Sequence, residues 1–266
     1  MQNSFIRNIF LTIKDFIKGI KYKYTLPKNP SHDDIYIVEF PKSGITWLQF
    51  IIGNIELKLA GIYDEYVTFY NHHKYIPDIH TIGNSYIRRF LKRTFIKSHS
   101  EYNPYYYFVI YLIRNPIDVM VSYYNFLLHH GYNLSFEVFI KNKNFGITAW
   151  KQHILSWWYR KVKAQRIHFI KYENLLKNPV CEISELYRNL GVNINENIIK
   201  DAVEKSKLEI MKQSEEHYKK YNPNYTMEFV GKKGKIKKEQ LVTEKIKNFI
   251  RKETKEIIEF FYPELL

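Results

Sequence analysis

The most constraining feature of the sequence is a β-branched apolar run that leads into a short polar loop and then an apolar helical segment. The run is residues 35–38, the loop contains residues 39–46, and the helical segment continues to Ala60. The start of a helix leaves backbone N–H groups unpaired and carries the positive end of the helix dipole. The loop adds one lysine and two hydroxyl groups, so it predicts a binding site for a phosphate or sulfonate group.

The order of residues in this loop differs from that in nucleotide triphosphatases. Their pattern is G-x-x-x-x-G-K-[ST], whereas here Lys42 precedes the only glycine of the loop. Residues 41–48, P-K-S-G-I-T-W-L, instead resemble the P-K-S-G-T-T-W-L loop of cytosolic-type sulfotransferases, with Ile45 as the one difference. The resemblance implies that the sulfonate donor 3′-phosphoadenosine 5′-phosphosulfate (PAPS) is bound by Lys42, Ser43, Gly44, Ile45, Thr46 and Trp47.

A second segment predicts a second phosphate site. Residues 108–113 form a continuous apolar strand, and Arg114 follows at its carboxyl end, where α/β sheets bind ligands. Pro116 suits the first turn of a helix, and Ser122 lies two turns further on. The segment resembles the sulfotransferase motif R-N-P-x-D-x-x-x-S-Y-Y, which implies that Arg114 and Ser122 bind the 3′-phosphate of the donor. The planar guanidinium suits this role because it binds phosphate oxygens in pairs.

A third segment predicts the reaction centre. Residues 94–99 read as a short strand that ends in Lys97-Ser98-His99, and the resembled family carries its catalytic histidine in such a K-x-H. The resemblance implies that His99 takes the proton of the acceptor as general base, which the near-neutral pKa of histidine permits. It also implies that Lys42 stabilises charge on the leaving phosphate and that Lys97 holds the sulfonate.

Three further segments match the family less closely. Residues 172–175 resemble its Y-E-D-L, and residues 206–212 resemble T-S-F-x-x-M-[KR] with a leucine in place of the aromatic residue, so Trp47 is the principal candidate for stacking on adenine. Residues 229–237 resemble its second 3′-phosphate segment, with lysine in place of arginine, and a plain basic loop stays open there. These segments extend the predicted donor site by Tyr172, Ser206, Leu208, Lys232, Lys233 and Gly234.

The alternation of strands and helices predicts a single α/β domain with a mainly parallel central sheet flanked by helices. The resemblance implies the P-loop-kinase-like sulfotransferase fold, over residues 26–266. Strands are expected near residues 35–40, 94–98, 107–113 and 167–171. Helices are expected near residues 44–60, 116–130, 150–164, 179–190, 196–207 and 239–261.

Residues 1–25 are predicted to form an amphipathic N-terminal helix. Apolar residues recur at helical spacing from Phe5 to Ile20, and charges such as Lys14 interrupt them, which excludes a signal peptide. No apolar stretch is long enough for a transmembrane span. Packing of this helix on its own domain or a partner, and peripheral membrane contact through residues 1–20, both stay open.

The composition limits the partners. The net charge is +14, but the lysines are dispersed and no nucleic-acid module is present, which argues against a nucleic-acid partner. A polyanionic donor needs local positive charge, although lysine-rich codon usage also explains the excess. The single cysteine, Cys181, excludes an intrachain disulfide and favours the cytoplasm. No Cys/His cluster has metal-ligand spacing, and cationic side chains are expected to stabilise the transferring group without a metal.

The predicted activity is therefore sulfonate transfer from PAPS to a hydroxyl or amine of a small-molecule or glycan acceptor, by in-line displacement. Two other functions stay open. One is an ATP-dependent small-molecule kinase with a divergent phosphate loop, and the other is a non-catalytic nucleotide- or membrane-binding protein on the same fold. The sequence leaves the acceptor and the oligomeric state undetermined.

Overall fold

Among the described residues, four parallel strands form a central sheet. The computed structural model describes residues 25–159, 165–225 and 236–266. The strands lie in the order β2-β1-β3-β4, and every neighbouring pair is parallel. Their bounds are β1 (Ile35–Glu39), β2 (Phe95–Ser98), β3 (Phe108–Ile113) and β4 (Arg166–Lys171). Because the strands are parallel, their carboxyl ends share one edge of the sheet, and the crossover connections put helices on its faces.

The two central strands supply side chains to two hydrophobic cores. Tyr36 and Tyr111 face one core, whereas Ile37 and Leu112 face the other. All four side chains are buried because helices cover both faces of the sheet. Burial on both faces is the reason that β1 and β3 are continuous apolar runs in the sequence. The predicted α/β architecture with a parallel sheet is confirmed.

The helices follow the chain with these bounds: α1 (Ile45–Leu59), α2 (His72–Tyr75), α3 (Ile79–Ile82), α4 (Pro116–His129), α5 (Phe136–Ile140), α6 (Ile147–Trp158), α7 (Tyr172–Lys177), α8 (Pro179–Asn189), α9 (Glu196–Lys205), α10 (Leu208–Tyr221), α11 (Lys238–Leu241), α12 (Glu244–Glu253) and α13 (Lys255–Phe261), before a final 3₁₀ turn at Pro263–Leu265. The helices predicted near residues 44–60, 116–130, 179–190 and 196–207 are present. The one predicted near residues 150–164 begins three residues earlier, and residues 160–164 lie outside the described part of the chain.

In the carboxyl-terminal third, one prediction was wrong and one helix was missed. The single helix expected over residues 239–261 is three helices, because Thr243 caps α12 through the Ile246 N–H and Thr254 bonds back to the Ile250 carbonyl. Helix α10 was not predicted as a helix. Its fully buried residues are Met211 and Glu215, so its buried side combines an apolar and a charged residue.

The amphipathic helix predicted over residues 1–25 falls on residues 1–24, which lie outside the described ranges, and on residue 25, which is not helical. The domain boundary at residue 26 therefore stays a prediction. Within the described ranges, no helix has both the length and the apolar character that crossing a bilayer requires.

Candidate active site

Three predicted site segments meet at the carboxyl edge of the sheet. Strand β1 lies between β2 and β3, so its loop is flanked by His99 after β2 and by Arg114 after β3. Nη1 of Arg114 donates to the main-chain oxygen of Lys42 at 3.1 Å. Nδ1 of His99 lies 3.3 Å from the main-chain oxygen of Glu39. The tertiary structure thus places the predicted base and the predicted phosphate-binding arginine on opposite sides of one loop.

The loop between β1 and α1 has an unusual backbone. Lys42 has φ 76° and Gly44 has φ 114°, and Lys42 is the one non-glycine residue with positive φ among those described. The Ser43 hydroxyl donates to the Phe40 carbonyl at 2.8 Å and closes the turn. Left-handed backbone at a lysine costs on the order of 1–3 kcal/mol, and such conformations concentrate at functional sites.

Backbone amides at the start of α1 differ in what they bind. The amides of Gly44 and Thr46 make no hydrogen bond to any described residue, although those of residues 43 and 47 bond to main-chain oxygens of the loop. The Ile45 amide donates to Oε2 of Glu39 at 2.8 Å. Two of the five amides in residues 43–47 are therefore available to an anion, and a third is occupied by an internal carboxylate.

Tyr172 forms one wall of the loop. Its ring centroid lies 6.1 Å from that of Trp47 in an edge-on arrangement, and the guanidinium carbon of Arg114 lies 4.4 Å from its centroid. A Cβ atom added to Gly44 would lie 2.6 Å from two carbons of the Tyr172 ring. Glycine is required here for two reasons, the positive φ and the close approach of this ring.

Replacing Gly44 with alanine is expected to destabilise the protein. Backbone strain contributes about 1–3 kcal/mol, and displacement of the Tyr172 ring by the new methyl group adds to this loss. Gly61→Ala is the matched control, since Gly61 also has positive φ, 78°, but nothing within 4 Å of the added Cβ. Denaturant unfolding of both variants measures the difference. Equal losses of stability would contradict the importance of the Tyr172 contact.

Arg114 lies where a phosphate group is expected. Its Nε is buried and has no hydrogen-bond partner among the described residues. A buried N–H without a partner costs about 1–3 kcal/mol, and more for a charged group, so this atom suits an anion from outside the chain. Asn115 caps α4 through the Ile117 N–H at 3.0 Å, with Pro116 at the first helical position. Ser122 is half-buried further along the same helix.

Lys97 is buried and paired. Its Nζ lies 3.0 Å from Oδ2 of Asp78, and its main-chain N–H donates to the Pro77 carbonyl. Burial alone would raise the pKa of Asp78, but Lys97 above all holds it below its usual range. Asp78 was not singled out from the sequence because the four-residue helix that it caps, α3, carries no periodic signal.

His99 is held in a defined tautomer. Since the Glu39 carbonyl only accepts, Nδ1 carries the proton and the basic lone pair lies on Nε2. Burial, followed by the charge of Lys97, lowers the pKa of His99 well below the usual value of histidine. His80 stacks on His99, with ring centroids 6.0 Å apart, and its Nε2 accepts the His99 main-chain N–H at 2.9 Å. The side chain is thus neutral at physiological pH.

Two other predicted residues lie in different surroundings. Ser206 is fully buried, and its hydroxyl donates to the Ala202 carbonyl at 2.7 Å and accepts from Asn54 at 3.2 Å, so it joins α9 to α1. Leu208 is 59% exposed at the start of α10. Because leucine has no aromatic ring, the aromatic side chains beside the loop are those of Trp47 and Tyr172.

The predicted residues Lys232, Lys233 and Gly234 lie outside the described residues. The described chain resumes at Ile236, whose N–H and carbonyl both bond to the side chain of Asn125 on α4. Lys238 then pairs with Asp118 of the same helix at 2.6 Å. The described chain after the basic segment is therefore anchored to the helix that carries Ser122.

Comparison with protein-family models matches residues 32–266 to the sulfotransferase domain. Sulfotransferase 1C2 of Oryctolagus cuniculus is 28% identical over 204 residues, which cover 68% of this chain and 66% of that protein. Sulfotransferase 1 family member D1 of Mus musculus is 31% identical over 202 residues, which cover 68% of this chain and 67% of that protein. The chain thus spans about two thirds of the length of these curated relatives.

Two solved structures share the fold. Mouse sulfotransferase SULT7A1 complexed with PAP (3′-phosphoadenosine 5′-phosphate) superposes with a TM-score of 0.58 at 20% identity, over 88% of this chain and 86% of that one. Retinol dehydratase in complex with androsterone and the inactive cofactor PAP gives a TM-score of 0.61 at 16% identity, over 89% and 84%. The match of the sulfotransferase domain to residues 32–266 shows that the chain belongs to the sulfotransferase family.

Proposed function

We propose that this protein transfers the sulfonate group of PAPS to a hydroxyl or amine of a small-molecule or glycan acceptor. The observation that carries the proposal is the meeting of three groups at one sheet edge: the anion-binding loop of β1, Arg114 after β3, and a neutral His99 after β2. The membership of the chain in the sulfotransferase family supports the same activity.

The loop and Arg114 fit a donor with two phosphate positions. The available amides of Gly44 and Thr46, at the positive end of α1, suit the 5′-phosphate. The unpartnered Nε of Arg114 suits the 3′-phosphate, which distinguishes PAPS from ATP. Ser122, Tyr172 and Trp47 complete this donor site, and Lys232, Lys233 and Gly234 belong to it by their sequence match. Ile45, Ser206 and Leu208 are likewise assigned to the donor site by their sequence match alone.

The reaction centre needs a base and fixed positive charge. PAPS supplies an activated sulfonate on a phosphate leaving group. Nε2 of His99 takes the proton of the acceptor hydroxyl, while Lys42 stabilises the charge that develops on the leaving phosphate. Lys97 orients the sulfonate, and Asp78 fixes its ammonium group from the other side at 3.0 Å. These roles are hypotheses, and the His99→Ala variant described below tests that of the base.

A thermal-shift comparison tests the donor. We expect 3′-phosphoadenosine 5′-phosphate (PAP) to raise the unfolding temperature, because a ligand that binds only the folded state stabilises it; at about 100 times its Kd the gain is about 2.7 kcal/mol. ATP with Mg²⁺ is expected to have a much smaller effect, because it lacks the 3′-phosphate. A selective shift with ATP and Mg²⁺ would favour a kinase and overturn the proposal.

A cavity lined in part by His80, which contacts His99, is proposed to admit the acceptor. Its volume is about 680 Å³, within the range of small-molecule sites, and it is lined by residues around Pro27 and by Ile79–Asn84. His80 lies in this lining and also accepts the His99 main-chain N–H. Its buried Nδ1 has no hydrogen-bond partner among the described residues and, in the neutral ring, carries the proton. It is therefore suited to donate to an acceptor oxygen.

An acceptor screen with radiolabelled PAPS identifies the acceptor class. Phenols, steroid alcohols, amines and saccharides are compared with the intact protein and with a His80→Phe variant, which keeps a ring but removes the donor. Loss of acceptor affinity with unchanged PAP affinity is expected for this variant. Unchanged acceptor affinity would remove the cavity from the proposal.

The cellular site is proposed to be the cytoplasm. Cys181 is a free thiol, exposed on α8, which suits a reducing compartment. The resemblance of residues 41–48 to the loop of cytosolic-type sulfotransferases is in line with this placement.

A further inference from the structure

Glu39 is a buried carboxylate inside the anion-binding loop. It ends β1, and its residue is 2% exposed. Oε2 accepts the Ile45 N–H at 2.8 Å, and Oε1 lies 3.9 Å from Nδ1 of His99. An acidic side chain thus binds one of the backbone amides at the start of α1, at the helix end that favours anions.

This position conflicts with the anion that the loop is proposed to bind. A phosphate group in the loop and an ionised Glu39 would be like charges that share one helix N-terminus. Coulomb repulsion between unit charges near 4 Å is about 4 kcal/mol at an effective dielectric constant of 20. Either the phosphate binds weakly or the carboxylate loses its charge.

We propose that Glu39 takes up one proton from solvent when a donor phosphate enters the loop, so that donor binding is coupled to neutralisation of this carboxylate. The proton is added to the carboxylate and gives a neutral carboxylic acid, and no other bond changes. The inference rests on the proposed function, because PAP and PAPS are the ligands that bring the phosphate. It makes Glu39 a further residue of the donor site.

The protonated form can keep the local structure. A carboxylic acid retains a carbonyl oxygen that accepts the Ile45 N–H, and its O–H is a new donor that faces the incoming oxygens. The ionised form is held in the absence of donor by surrounding cations. The titratable and charged groups that face Glu39 from the loop, β2 and β3 are Lys42, Lys97, His99, Arg114 and Tyr111. His153 of α6 lies behind them, within hydrogen-bond distance of the Tyr111 hydroxyl and the His99 carbonyl.

The free protein is poised for this change. Burial raises the pKa of Glu39 to about 7, although the Ile45 amide and the three nearby cations lower it in part. Above pH 7 the free carboxylate is therefore mainly ionised, and donor binding must add a proton. Below pH 7 it is already mainly protonated, and binding adds little. Since donor binding raises the pKa further, affinity for PAP falls as pH rises above 7, by up to about tenfold per pH unit.

Isothermal titration calorimetry with PAP tests the coupling. Titrations at about pH 8, in buffers with different ionisation enthalpies, give the number of protons bound per PAP. We expect an uptake that approaches one proton for the intact protein and near zero for Glu39→Gln, whose amide oxygen still accepts the Ile45 N–H. The affinity of Glu39→Gln should be nearly constant with pH. The second pKa of a phosphate group lies near 6, so PAP is already ionised at the pH of the titration. Any proton that PAP released on binding would reduce the measured uptake and could not imitate it.

The control is Glu137→Gln, which removes the same charge from an exposed carboxylate on α5 that pairs with Lys141 and Lys245. It should keep the full uptake.

If Glu39→Gln does not fold, infrared difference spectra of the intact protein decide: PAP should produce the carbonyl band of a protonated carboxylic acid. Tight PAP binding without proton uptake, or equal uptake by Glu39→Gln, overturns this inference alone. Failure of PAP to bind overturns the proposed function and this inference with it.

Discussion

Replacing His99 with alanine is expected to lower turnover by about 10²–10⁴-fold, the usual effect of removing a general base. The reason is geometric. Nδ1 faces the Glu39 carbonyl, so Nε2 is the basic atom, and its position next to Lys97 after the end of β2 suits removal of the proton of the acceptor hydroxyl. Affinity for PAP should be nearly unchanged, because His99 binds neither proposed phosphate position. Turnover is measured as transfer of radiolabel to an acceptor from the screen, and affinity by calorimetry.

The pH dependence of the intact enzyme provides a second readout of the same role. Burial and Lys97 lower the pKa of His99, so the neutral form persists as pH falls through the usual histidine range. The acid limb of kcat/KM, measured below the range in which Glu39 titrates, should therefore lie below the usual histidine pKa of about 6.5. His168→Ala is the matched control, since His168 on β4 bonds to Asn189, and it should keep full turnover. Full turnover by His99→Ala would remove His99 from the mechanism.

Replacing Arg114 with alanine is expected to weaken PAP binding by about 2–5 kcal/mol, or roughly 30- to 4,000-fold in Kd. The guanidinium lies over Tyr172 with a buried Nε that has no partner among the described residues, so its loss removes a charge already desolvated and oriented. Arg114→Lys should recover part of the affinity, because it restores the charge without the paired N–H groups. Calorimetry with PAP measures both variants.

The control for Arg114 is Arg166→Ala. Arg166 is exposed at the start of β4, at the opposite edge of the sheet, and its removal changes the net charge equally. Affinity within about twofold of the intact protein is expected there, because exposed and distant charges are screened by salt. A comparable loss in both variants would mean that overall charge, and not the position of Arg114, governs binding.

Much of the fold was predictable because its signals are local. Buried parallel strands must be apolar throughout, so β1 and β3 stand out in the sequence, and capped amphipathic helices such as α8 and α9 stand out likewise. Helix α10 was missed because it is polar on average and its buried side includes the charged Glu215 beside Met211. The carboxyl-terminal helix was predicted as continuous because the back-bonding of Thr254 has no signature beyond the threonine itself.

The site divides in the same way. Lys42, His99 and Arg114 were predictable because each follows an apolar strand in a motif of fixed spacing. Asp78, His80 and Glu39 were not, because their roles come from contacts with residues distant in the chain or across the loop. Asp78 pairs with Lys97 across the connection to β2.

The sequence by itself determined the four strands, most of the long helices, the predicted anion-binding loop and the family of the protein, because these depend on local composition and spacing. Only the tertiary structure decided the state of the site. It buries Glu39 among cations, fixes the tautomer of His99 through the Glu39 carbonyl, and leaves the amides of Gly44 and Thr46 available. The physical reason is that protonation and hydrogen-bond satisfaction depend on desolvation and on neighbours brought together by the sheet, which no local pattern of residues records.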